Sequence, residues 1–308
     1  MVNAPDLGVL ICAIATPMDA VGEVDFDRLA ELTNRYIAKG VEGIYCCGSS
    51  GEGMLLSTHE RERVVATVCA AAGGRVPVVA HVGSLTTRES IRLAASAQTA
   101  GACACSMIPP IYYTYRPEAV IAHYRAVMDA CDLPMILYNI PQFTGQEFTV
   151  DRFAPLLEDP RVIGIKHTSM NLFELERMRA RYPDKTYING FDEIYVPALA
   201  AGATGSIGTT VGVQYELFRA ARRRFQAGDI AGAMRAQERI TAIVSELVAV
   251  DVFPAAKYLA ARDAGPLGDC RLPLAPLGPA DRRRIDALAQ TLDAYLRQTA
   301  QEEAAPHH

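Results

Sequence analysis

Short apolar runs alternate with longer segments of helical periodicity from the start of this chain to about residue 228. The apolar runs have few polar positions, which favours strands that are buried on both faces of a sheet. The longer segments repeat apolar residues every three to four positions, as amphipathic helices do. The predicted strands are residues 9–15, 42–47, 76–82, 103–108, 134–139, 161–166, 186–189 and 204–207. The predicted helices are residues 25–39, 57–73, 86–100, 117–131, 150–157, 172–182, 193–201 and 215–227.

Several of these helices carry residues that are typical of helix boundaries. Ser57 and Glu60 form the S-x-x-E pattern of a capping box, in which each side chain bonds the backbone N–H of the other residue. Gly40 and Gly101 follow the last periodic residues of two helices, where glycine commonly ends a helix. Pro117 suits a first helical turn, because its missing N–H would have no partner there.

Eight strand–helix pairs in this order predict an α/β fold, a parallel and closed (β/α)8 TIM barrel, over residues 1–228. Beyond Gly228 the pattern becomes purely helical, over residues 229–263 and again over residues 279–298. We interpret residues 229–300 as a C-terminal helical extension of the same domain, and we expect residues 301–308 to be a disordered tail.

Composition and charge exclude several classes of protein. At 308 residues and 50% hydrophobic content, the chain has the length of one barrel and enough apolar residues for one core. A net charge of −5 with scattered basic residues predicts no nucleic-acid partner. No apolar run is long enough to cross a membrane, and the first residues lack a signal-peptide pattern. We therefore expect a cytoplasmic protein without a membrane partner.

The eight cysteines are expected to be reduced and free of metal. Most of them fall in apolar strand-like runs, where cysteine behaves as a small hydrophobic residue, and no C-x-x-C pair occurs. No set of His, Asp and Glu residues stands at successive strand ends. Metal-dependent catalysis is therefore less favoured, and we expect no metal.

The strand at residues 161–166 ends in Lys166, where a barrel of this kind places its catalytic groups. Burial disfavours the charged form of an amine, so this lysine is a candidate nucleophile that attacks a ketone and forms an imine. The alternative is an ordinary strand-end lysine that reaches out to solvent. The residues at the other strand ends must decide between the two.

Two of the other strand ends carry groups that suit such a nucleophile. Ser49 and Ser50 lie in the glycine-rich loop at residues 48–53, whose hydroxyl and N–H groups can hold a carboxylate or phosphate. The loop matches neither common nucleotide motif, and an ordinary flexible turn is the alternative. Tyr138 ends the strand before that of Lys166 and can carry a proton there, or else pack over the barrel mouth.

Two further strand ends supply hydroxyl groups. Tyr112 and Tyr113 follow the fourth strand and would point in opposite directions, one packed and the other presenting its hydroxyl. Thr168 would lie on the same side of its strand as Lys166, whereas His167 would point away, so we prefer Thr168 as a site residue.

The last two strand ends favour a polyhydroxylated substrate. Asp192 and Glu193 can accept bonds from several hydroxyls, or else form the acidic first turn of a helix. Thr209 adds a small donor after the eighth strand. Together the strand ends predict a site for a 2-oxo acid that bears a polyhydroxylated tail.

The chain resembles the family of pyruvate-dependent Schiff-base lyases typified by dihydrodipicolinate synthase and N-acetylneuraminate lyase. The motifs that carry the resemblance are G-[ST]-[ST]-G-E at residues 48–52, Y-N-[IV]-P at 138–141 and G-[IVL]-K at 164–166. The resemblance covers almost the whole chain. It implies that Lys166 forms the imine, that Tyr138 moves the proton, and that no cofactor is needed beyond the covalent lysine imine with pyruvate.

Two positions bear on the substrate that the resemblance implies. Phe143 stands where the synthases of the family place an arginine for the carboxylate of the second substrate. Residues 189–194 resemble the sialic acid lyases, in which the glycine backbone and two acids hold the glycerol tail. This implies reversible cleavage of N-acetylneuraminate to N-acetylmannosamine and pyruvate. The implied contacts are Ser49 and Ser50 on the carboxylate, and Thr168, Gly190, Asp192, Glu193 and Thr209 on the tail.

The resemblance also implies a homotetramer in which Tyr112 reaches the site of a neighbouring subunit. Three alternatives stay open at this point. They are an aldolase or dehydratase for another 2-oxo-3-deoxy sugar acid, a condensation like that of dihydrodipicolinate synthase, and a non-catalytic barrel that binds pyruvate.

Overall fold

The structure is a computed structural model that describes residues 7–304. Within these residues, eight parallel strands close into a barrel in chain order, and the last strand is hydrogen-bonded to the first. The predicted (β/α)8 barrel is confirmed. The strands are β1 (Leu10–Ala13), β2 (Gly43–Cys46), β3 (Val78–His81), β4 (Ala104–Met107), β5 (Met135–Asn139), β6 (Val162–His167), β7 (Thr186–Asn189) and β8 (Gly205–Gly208).

Helices alternate with the strands and then continue beyond the barrel. The helices of the barrel are α1 (Phe26–Lys39), α2 (Thr58–Ala72), α3 (Thr87–Ala100), α4 (Pro117–Met128), α5 (Pro141–Thr144), α6 (Ala154–Leu157), α7 (Leu172–Arg181), α8 (Tyr195–Ala200) and α9 (Tyr215–Gln226). The extension consists of α10 (Ile230–Val250), α11 (Val252–Ala264) and α12 (Pro279–Ala304).

The helix boundaries that were predicted from capping residues are confirmed. Ser57 Oγ accepts a hydrogen bond from the Glu60 N–H at 3.2 Å, and the Glu60 carboxylate accepts one from the Ser57 N–H at 2.7 Å. Gly40 and Gly101 end α1 and α3 with φ values of 99° and 88°. Glycine adopts this left-handed conformation without a steric penalty, so both helices end where the sequence indicates.

The helix predicted over residues 150–157 is wrong in length, because only Ala154–Leu157 is helical. The Val150 N–H donates to the Glu174 carboxylate of α7 at 3.0 Å. This tertiary contact holds the segment before α6 in a turn, and a contact between distant residues is not visible in a local pattern.

The extension divides where the sequence showed one helical pattern over residues 229–263. Asp251 is extended, with φ of 175°, and separates α10 from α11. Pro254 has no N–H to donate to the Val250 carbonyl, so one continuous helix cannot pass through this point. The break turns the chain so that Val252 and Phe253 lie over the mouth of the barrel.

The expectation of a disordered tail is wrong for residues 301–304, which complete α12. Glu302 accepts a hydrogen bond from Arg224 at 2.7 Å and forms an ion pair with Arg239. These contacts join the last turn of α12 to α9 and α10. Residues 305–308 lie outside the described part of the chain.

The apolar core has two parts, separated by the wall of the barrel. The larger part lies between the strands and the surrounding helices. The smaller part fills the barrel interior and includes Ile11, Val79, Ile136, Ile188 and Ile207. Tyr138 belongs to the interior part, so its ring lies inside the barrel.

Candidate active site

Lys166 faces the barrel interior because of a bulge in β6. In pairing with β5, the strand passes from Val162 directly to Gly164, so Ile163 is one extra residue. Ile163 packs into the interior, whereas Ile165 packs outward against the helices. The bulge therefore breaks the alternation of the strand and leaves Lys166 inside, with only 4% of the residue exposed.

Two tyrosine rings surround the Lys166 amine. Nζ lies 4.0 Å from the ring centroid of Tyr138 and 4.5 Å from that of Tyr45. Tyr138 is directly opposite Lys166 in the pairing of β5 with β6. The two rings meet edge to face, with centroids 6.2 Å apart. Lys166 thus sits among aromatic side chains and forms no ion pair within residues 7–304.

The loop after β2 presents Ser49 and Ser50 to the same interior. Ser49–Gly51 form one turn of 3-10 helix. The internal hydrogen bonds of this turn use the N–H groups of the three residues that follow Ser50, and the N–H groups of the two serines take no part in them. Ser50 Oγ lies 2.7 Å from Thr209 Oγ1, which follows β8. Three predicted site residues therefore meet here.

The shape of this loop depends on an unusual backbone. Cys47 and Glu52, at its two ends, have φ values of 60° and 56°, which residues other than glycine rarely adopt. A Cβ atom at Gly53 would lie 1.8 Å from the Cys47 carbonyl oxygen, so only glycine fits at this position. Strained backbone of this kind persists only where the surroundings hold it firmly.

Glu52 attaches the loop to the helical extension. Its carboxylate accepts hydrogen bonds from Lys257 Nζ of α11 at 2.8 Å and from the Arg271 N–H at 2.6 Å. The Glu52 and Lys257 side chains are 0% and 2% exposed, and Lys257 also donates to the Asp269 carbonyl at 3.0 Å. Because both buried charges are bonded, the pair fixes the position of the loop.

Asp192 is buried in the 3-10 turn Asp192–Ile194, directly after β7. Its Oδ2 atom accepts hydrogen bonds from the Thr210 N–H at 2.8 Å and from the Thr210 hydroxyl at 2.7 Å. Its Oδ1 atom is buried without a partner among residues 7–304. Burial raises the pKa of Asp192 to about 6, although the two Thr210 bonds act in the opposite direction.

Helix α10 holds this acidic turn through Gln237 and Thr241. The Gln237 amide donates to the Asp192 carbonyl at 3.1 Å and accepts from the Val196 N–H at 2.8 Å. The Thr241 hydroxyl donates to the Glu193 carbonyl at 3.3 Å. The extension therefore positions the acidic turn as well as the loop at residues 48–53.

Thr168 and His167 point in opposite directions, as predicted. The Thr168 hydroxyl is buried without a partner in the described residues, and a Cβ atom at Gly190 would lie 1.8 Å from it. His167 instead contacts the Asn139 amide and the Asn171 carbonyl, each at 3.1 Å. Burial lowers the pKa of His167 to about 4, so the ring is neutral and serves to join neighbouring loops.

One cavity of about 130 Å³ brings together nine of the ten predicted site residues. These nine are Ser49, Ser50, Tyr138, Lys166, Thr168, Gly190, Asp192, Glu193 and Thr209. The cavity is also lined by residues that the sequence reasoning did not place in the site. They include Gln142 from α5, and Val244 and Val248 from the extension. Phe143, which the sequence analysis singled out, lines the cavity as well.

Tyr112 is the predicted site residue that the structure does not bring to this cavity. It is 88% exposed, with φ of 83°, and its ring meets that of Tyr113 edge to face. Tyr113 is also exposed, so the prediction that one of the two packs is wrong. The positive φ at Tyr112 breaks the extended alternation on which that prediction rested.

The sequence reasoning missed Tyr45 and His81. Both lie in apolar strands, where a large side chain is usually part of the hydrophobic core. Only the structure shows that they face the barrel interior near Lys166. The His81 ring lies 6.3 Å from the Tyr45 ring and 6.0 Å from the Tyr138 ring. Burial, and then the charges of Arg61 and Lys166, hold the pKa of His81 well below its usual range.

Comparison with known proteins places the chain in a family. The model of the dihydrodipicolinate synthetase family matches residues 6–292. The chain belongs to this family. The resemblance drawn from the three motifs is thereby confirmed, and the protein is an enzyme of the carbon–carbon lyase class that works through a lysine Schiff base.

Similar proteins within the dihydrodipicolinate synthetase family have more than one name. The chain is 39% identical to N-acetylneuraminate lyase of Rhizobium meliloti (strain 1021), over 91% of this chain and 94% of that one. A Ruminococcus gnavus sialic acid aldolase structure aligns with a TM-score of 0.91 and 29% identity, covering 94% and 98% of the two chains. A dihydrodipicolinate synthase structure from Bacillus anthracis aligns with a TM-score of 0.89 and 27% identity, covering 92% and 98%.

The charge of the cavity bears on the substrate that it can bind. Lys166 is the only basic residue among those that line the cavity. Phe143 lies at the cavity mouth, 54% exposed, with its ring 6.5 Å from that of Phe253. An aromatic pair therefore occupies the position at which the resemblance implies an arginine in the synthases.

Three further observations apply to the described residues. No group of three or more His, Cys, Asp and Glu side chains between residues 7 and 304 is arranged to hold a metal ion. All eight cysteines are free thiols. None of the helices in this part of the chain is long and apolar enough to cross a membrane.

We expect Asp192→Asn to stabilise the protein more at pH 8 than at pH 4.5. Burial raises the pKa of Asp192 in the native state, so the native state binds more protons than the unfolded state, and stability falls as pH rises from about 4 to 6. The asparagine removes this cost. The free energy of unfolding of the variant, relative to the parent, should be larger at pH 8 by about 1–2 kcal/mol.

Urea unfolding at the two pH values measures this difference. Asp27→Asn is the matched control for the change of charge, because Asp27 is exposed in the first turn of α1, away from the cavity, and its effect on stability should be small. The same relative stability of Asp192→Asn at both pH values would contradict the account.

Proposed function

We propose that this protein is a class I, Schiff-base aldolase that cleaves N-acetylneuraminate reversibly to N-acetylmannosamine and pyruvate. The observation that carries the proposal is the single cavity in which a buried lysine, a tyrosine, a hydroxyl-rich loop and an acidic turn meet. The relatives named N-acetylneuraminate lyase and the sialic acid aldolase neighbour support this substrate.

The first step forms the imine. The neutral amine of Lys166 attacks C2 of the open-chain sugar acid. The C2 oxygen leaves as water with one proton from the amine and one from solvent, so that a protonated C=N bond replaces the ketone. The hydroxyl and N–H groups of Ser49 and Ser50 bind the carboxylate next to C2. The buried Glu52–Lys257 pair holds this loop in place, so its donors need no reorganisation when the substrate binds.

The second step breaks the C3–C4 bond. Tyr138 removes the proton of the C4 hydroxyl, directly or through the substrate carboxylate, and the electron pair of the C3–C4 bond moves into the protonated imine. N-acetylmannosamine leaves as the aldehyde, and an enamine of pyruvate stays on Lys166. Protonation at C3 and addition of water then release pyruvate and restore the free amine.

The polyhydroxylated tail lies along the acidic turn. The buried Thr168 hydroxyl and Asp192 Oδ1 have no partner in the described residues, and substrate hydroxyls supply the missing hydrogen bonds. Glu193, Thr209 and the Gly190 backbone complete the contacts. Binding at both the carboxylate and the tail orients the C3–C4 bond for cleavage.

We further propose that the chain acts as a cytoplasmic homotetramer. Tyr112 and Tyr113 are both exposed in the single chain, which leaves the Tyr112 hydroxyl available to the site of a neighbouring subunit. The lysine imine supplies the electron sink of the reaction, so the proposed chemistry requires neither a metal nor another cofactor.

A coupled assay of pyruvate release tests the substrate. We expect N-acetylneuraminate to be cleaved with a higher kcat/KM than other 2-oxo-3-deoxy sugar acids, and activity to survive a chelator. A higher kcat/KM with another sugar acid would replace the substrate but keep the chemistry. Condensation of pyruvate with aspartate semialdehyde in preference to any cleavage would overturn the proposal, because the cavity has no arginine for the second carboxylate.

A further inference from the structure

Tyr45 contacts the reacting nitrogen and has no place in the mechanism above. Its ring is buried inside the barrel, and the ring centroid lies 4.5 Å from Lys166 Nζ. This is within the distance at which the face of an aromatic ring attracts a cation. Together with Tyr138, whose centroid is 4.0 Å away, Tyr45 forms an aromatic lining around Nζ.

No negatively charged group contacts the Lys166 amine in residues 7–304. Four ionisable side chains face Lys166, from different elements of the barrel. They are Tyr45 from β2, His81 from β3, Tyr138 from β5 and Asp192 after β7. No carboxylate lies within 4.0 Å of Nζ in residues 7–304, and Asp192 is engaged by Thr210.

Two of these four side chains, Tyr45 and His81, are uncharged. Burial, and then Tyr138, raise the pKa of Tyr45 well above its usual range, so its ring is a neutral phenol. His81 is neutral as well, because burial lowers its pKa. The aromatic faces are therefore the groups in contact with a positive charge on the nitrogen of Lys166, whereas the Asp192 carboxylate acts on it from more than 4.0 Å away.

The Tyr45 ring is held in this position from three sides. Its hydroxyl contacts Ser106 Oγ at 3.2 Å, and its ring packs perpendicular to the ring of Tyr138. A Cβ atom at Gly48 would lie 2.5 Å from Tyr45 Cε1. The first glycine of the loop at residues 48–53 therefore leaves room for the ring.

We propose that Tyr45 is a catalytic residue of the lyase reaction, whose ring face keeps the imine on Lys166 protonated while the C3–C4 bond breaks. The inference rests on the proposed function. A protonated imine accepts the electron pair of the breaking bond, whereas a neutral imine accepts it poorly. The nitrogen keeps its proton in this step, and its positive charge is neutralised by the electron pair that forms the enamine. A ring that attracts this charge opposes loss of the proton in a site of low dielectric constant.

Tyr45→Leu and Tyr45→Phe form a matched pair for the test. Leucine removes the ring face, whereas phenylalanine keeps the face and loses only the contact with Ser106. Without the ring, the protonated amine and the protonated imine both lose stabilisation. Both limbs of the pH profile of turnover should therefore move to lower pH in Tyr45→Leu, by about one pH unit. Tyr45→Phe should keep the profile of the parent.

Fluorinated phenylalanines at position 45 test the charge of the ring face without changing how the side chain packs. Each added fluorine withdraws electron density from the ring face while the shape of the side chain changes little. We expect the alkaline limb of the profile to move stepwise to lower pH as the number of fluorines rises. Fluorinated rings keep the core filled, so this series remains informative if Tyr45→Leu does not fold.

Tyr124→Leu is the control for loss of a buried tyrosine elsewhere. Tyr124 is fully buried and donates to the Met107 carbonyl at 2.6 Å, outside the cavity. It should lower stability without moving the pH profile. A profile that stays fixed across the fluorinated series would overturn the role of Tyr45.

The pH profile tests the role of Tyr45 independently of which sugar acid is the substrate. Turnover can be followed with whichever 2-oxo sugar acid the protein cleaves, and reductive trapping of pyruvate follows the protonated imine without a sugar. Failure to cleave N-acetylneuraminate would therefore overturn the substrate and leave the role of Tyr45 standing. Failure of the parent protein to trap any 2-oxo acid would overturn both.

Discussion

Substitution of Lys166 by methionine is expected to lower turnover by about 10⁵-fold or more, because the nucleophile of the reaction is lost. Methionine has a similar length and is apolar, so it can pack against the rings of Tyr45 and Tyr138 without leaving a large cavity. The loss should therefore appear in activity and not in folding. The measurement is the rate of pyruvate release from N-acetylneuraminate, together with the free energy of unfolding.

Lys185→Met is the matched control for this substitution. Lys185 is a half-buried lysine that donates to the Asp159 carbonyl at 3.0 Å, away from the cavity. Its variant should keep turnover within a few-fold of the parent. If Lys166→Met kept turnover within tenfold of the parent, another group would have to form the imine, and the mechanism would be wrong.

Substitution of Tyr138 by phenylalanine is expected to lower turnover by about 10²–10⁴-fold, the usual contribution of a group that transfers a proton. The ring remains, so its contact with Lys166 and its packing against Tyr45 are preserved. Imine formation with pyruvate should therefore persist while cleavage of the C3–C4 bond slows. Single-turnover kinetics separate these two steps.

Tyr124→Phe controls for loss of a buried hydroxyl group. The Tyr124 hydroxyl donates to a backbone carbonyl outside the cavity, so this variant should change stability and not turnover. Unchanged cleavage in Tyr138→Phe would exclude Tyr138 as the proton carrier. Loss of imine formation and cleavage together would instead show that its hydroxyl acts before the bond breaks.

The parts of the fold that follow from local chemistry were predictable from the sequence. Ser57, Glu60 and Gly40 act within a few residues of their own position, and the structure has the helix boundaries that they indicate. Strand order followed from the alternation of elements, since a strand followed by a helix returns beside its parallel neighbour. Thr168 was placed correctly because the alternation was counted from Lys166 itself.

The parts that depend on contacts between distant residues were not predictable in this way. The bulge at Ile163 decides that Lys166 faces inward, yet nothing in the local pattern of the strand reveals an extra residue. The break at Asp251 brings Val252 and Phe253 over the cavity, although the surrounding segment reads as one helix. Tyr45 became visible as a site residue only when the two rings were seen around Nζ.

The buried polar groups without partners are the strongest structural support for the proposed chemistry. Among residues 7–304, the lysine in the barrel interior has no ion pair, and the Thr168 hydroxyl and one carboxylate oxygen of Asp192 have no hydrogen-bond partner. Burial of such groups is costly unless a bound molecule supplies the missing partners. A 2-oxo sugar acid bound in this cavity satisfies all three, through an imine and two hydrogen bonds.

The central claim is that Lys166 forms a covalent imine with a 2-oxo acid. The most direct measurement is borohydride reduction of the protein in the presence of pyruvate, followed by peptide mass spectrometry. The account predicts one stable pyruvate adduct, on the peptide that contains Lys166, and none when pyruvate or borohydride is omitted. An unmodified Lys166, with no adduct or with the adduct on a different lysine, would contradict it.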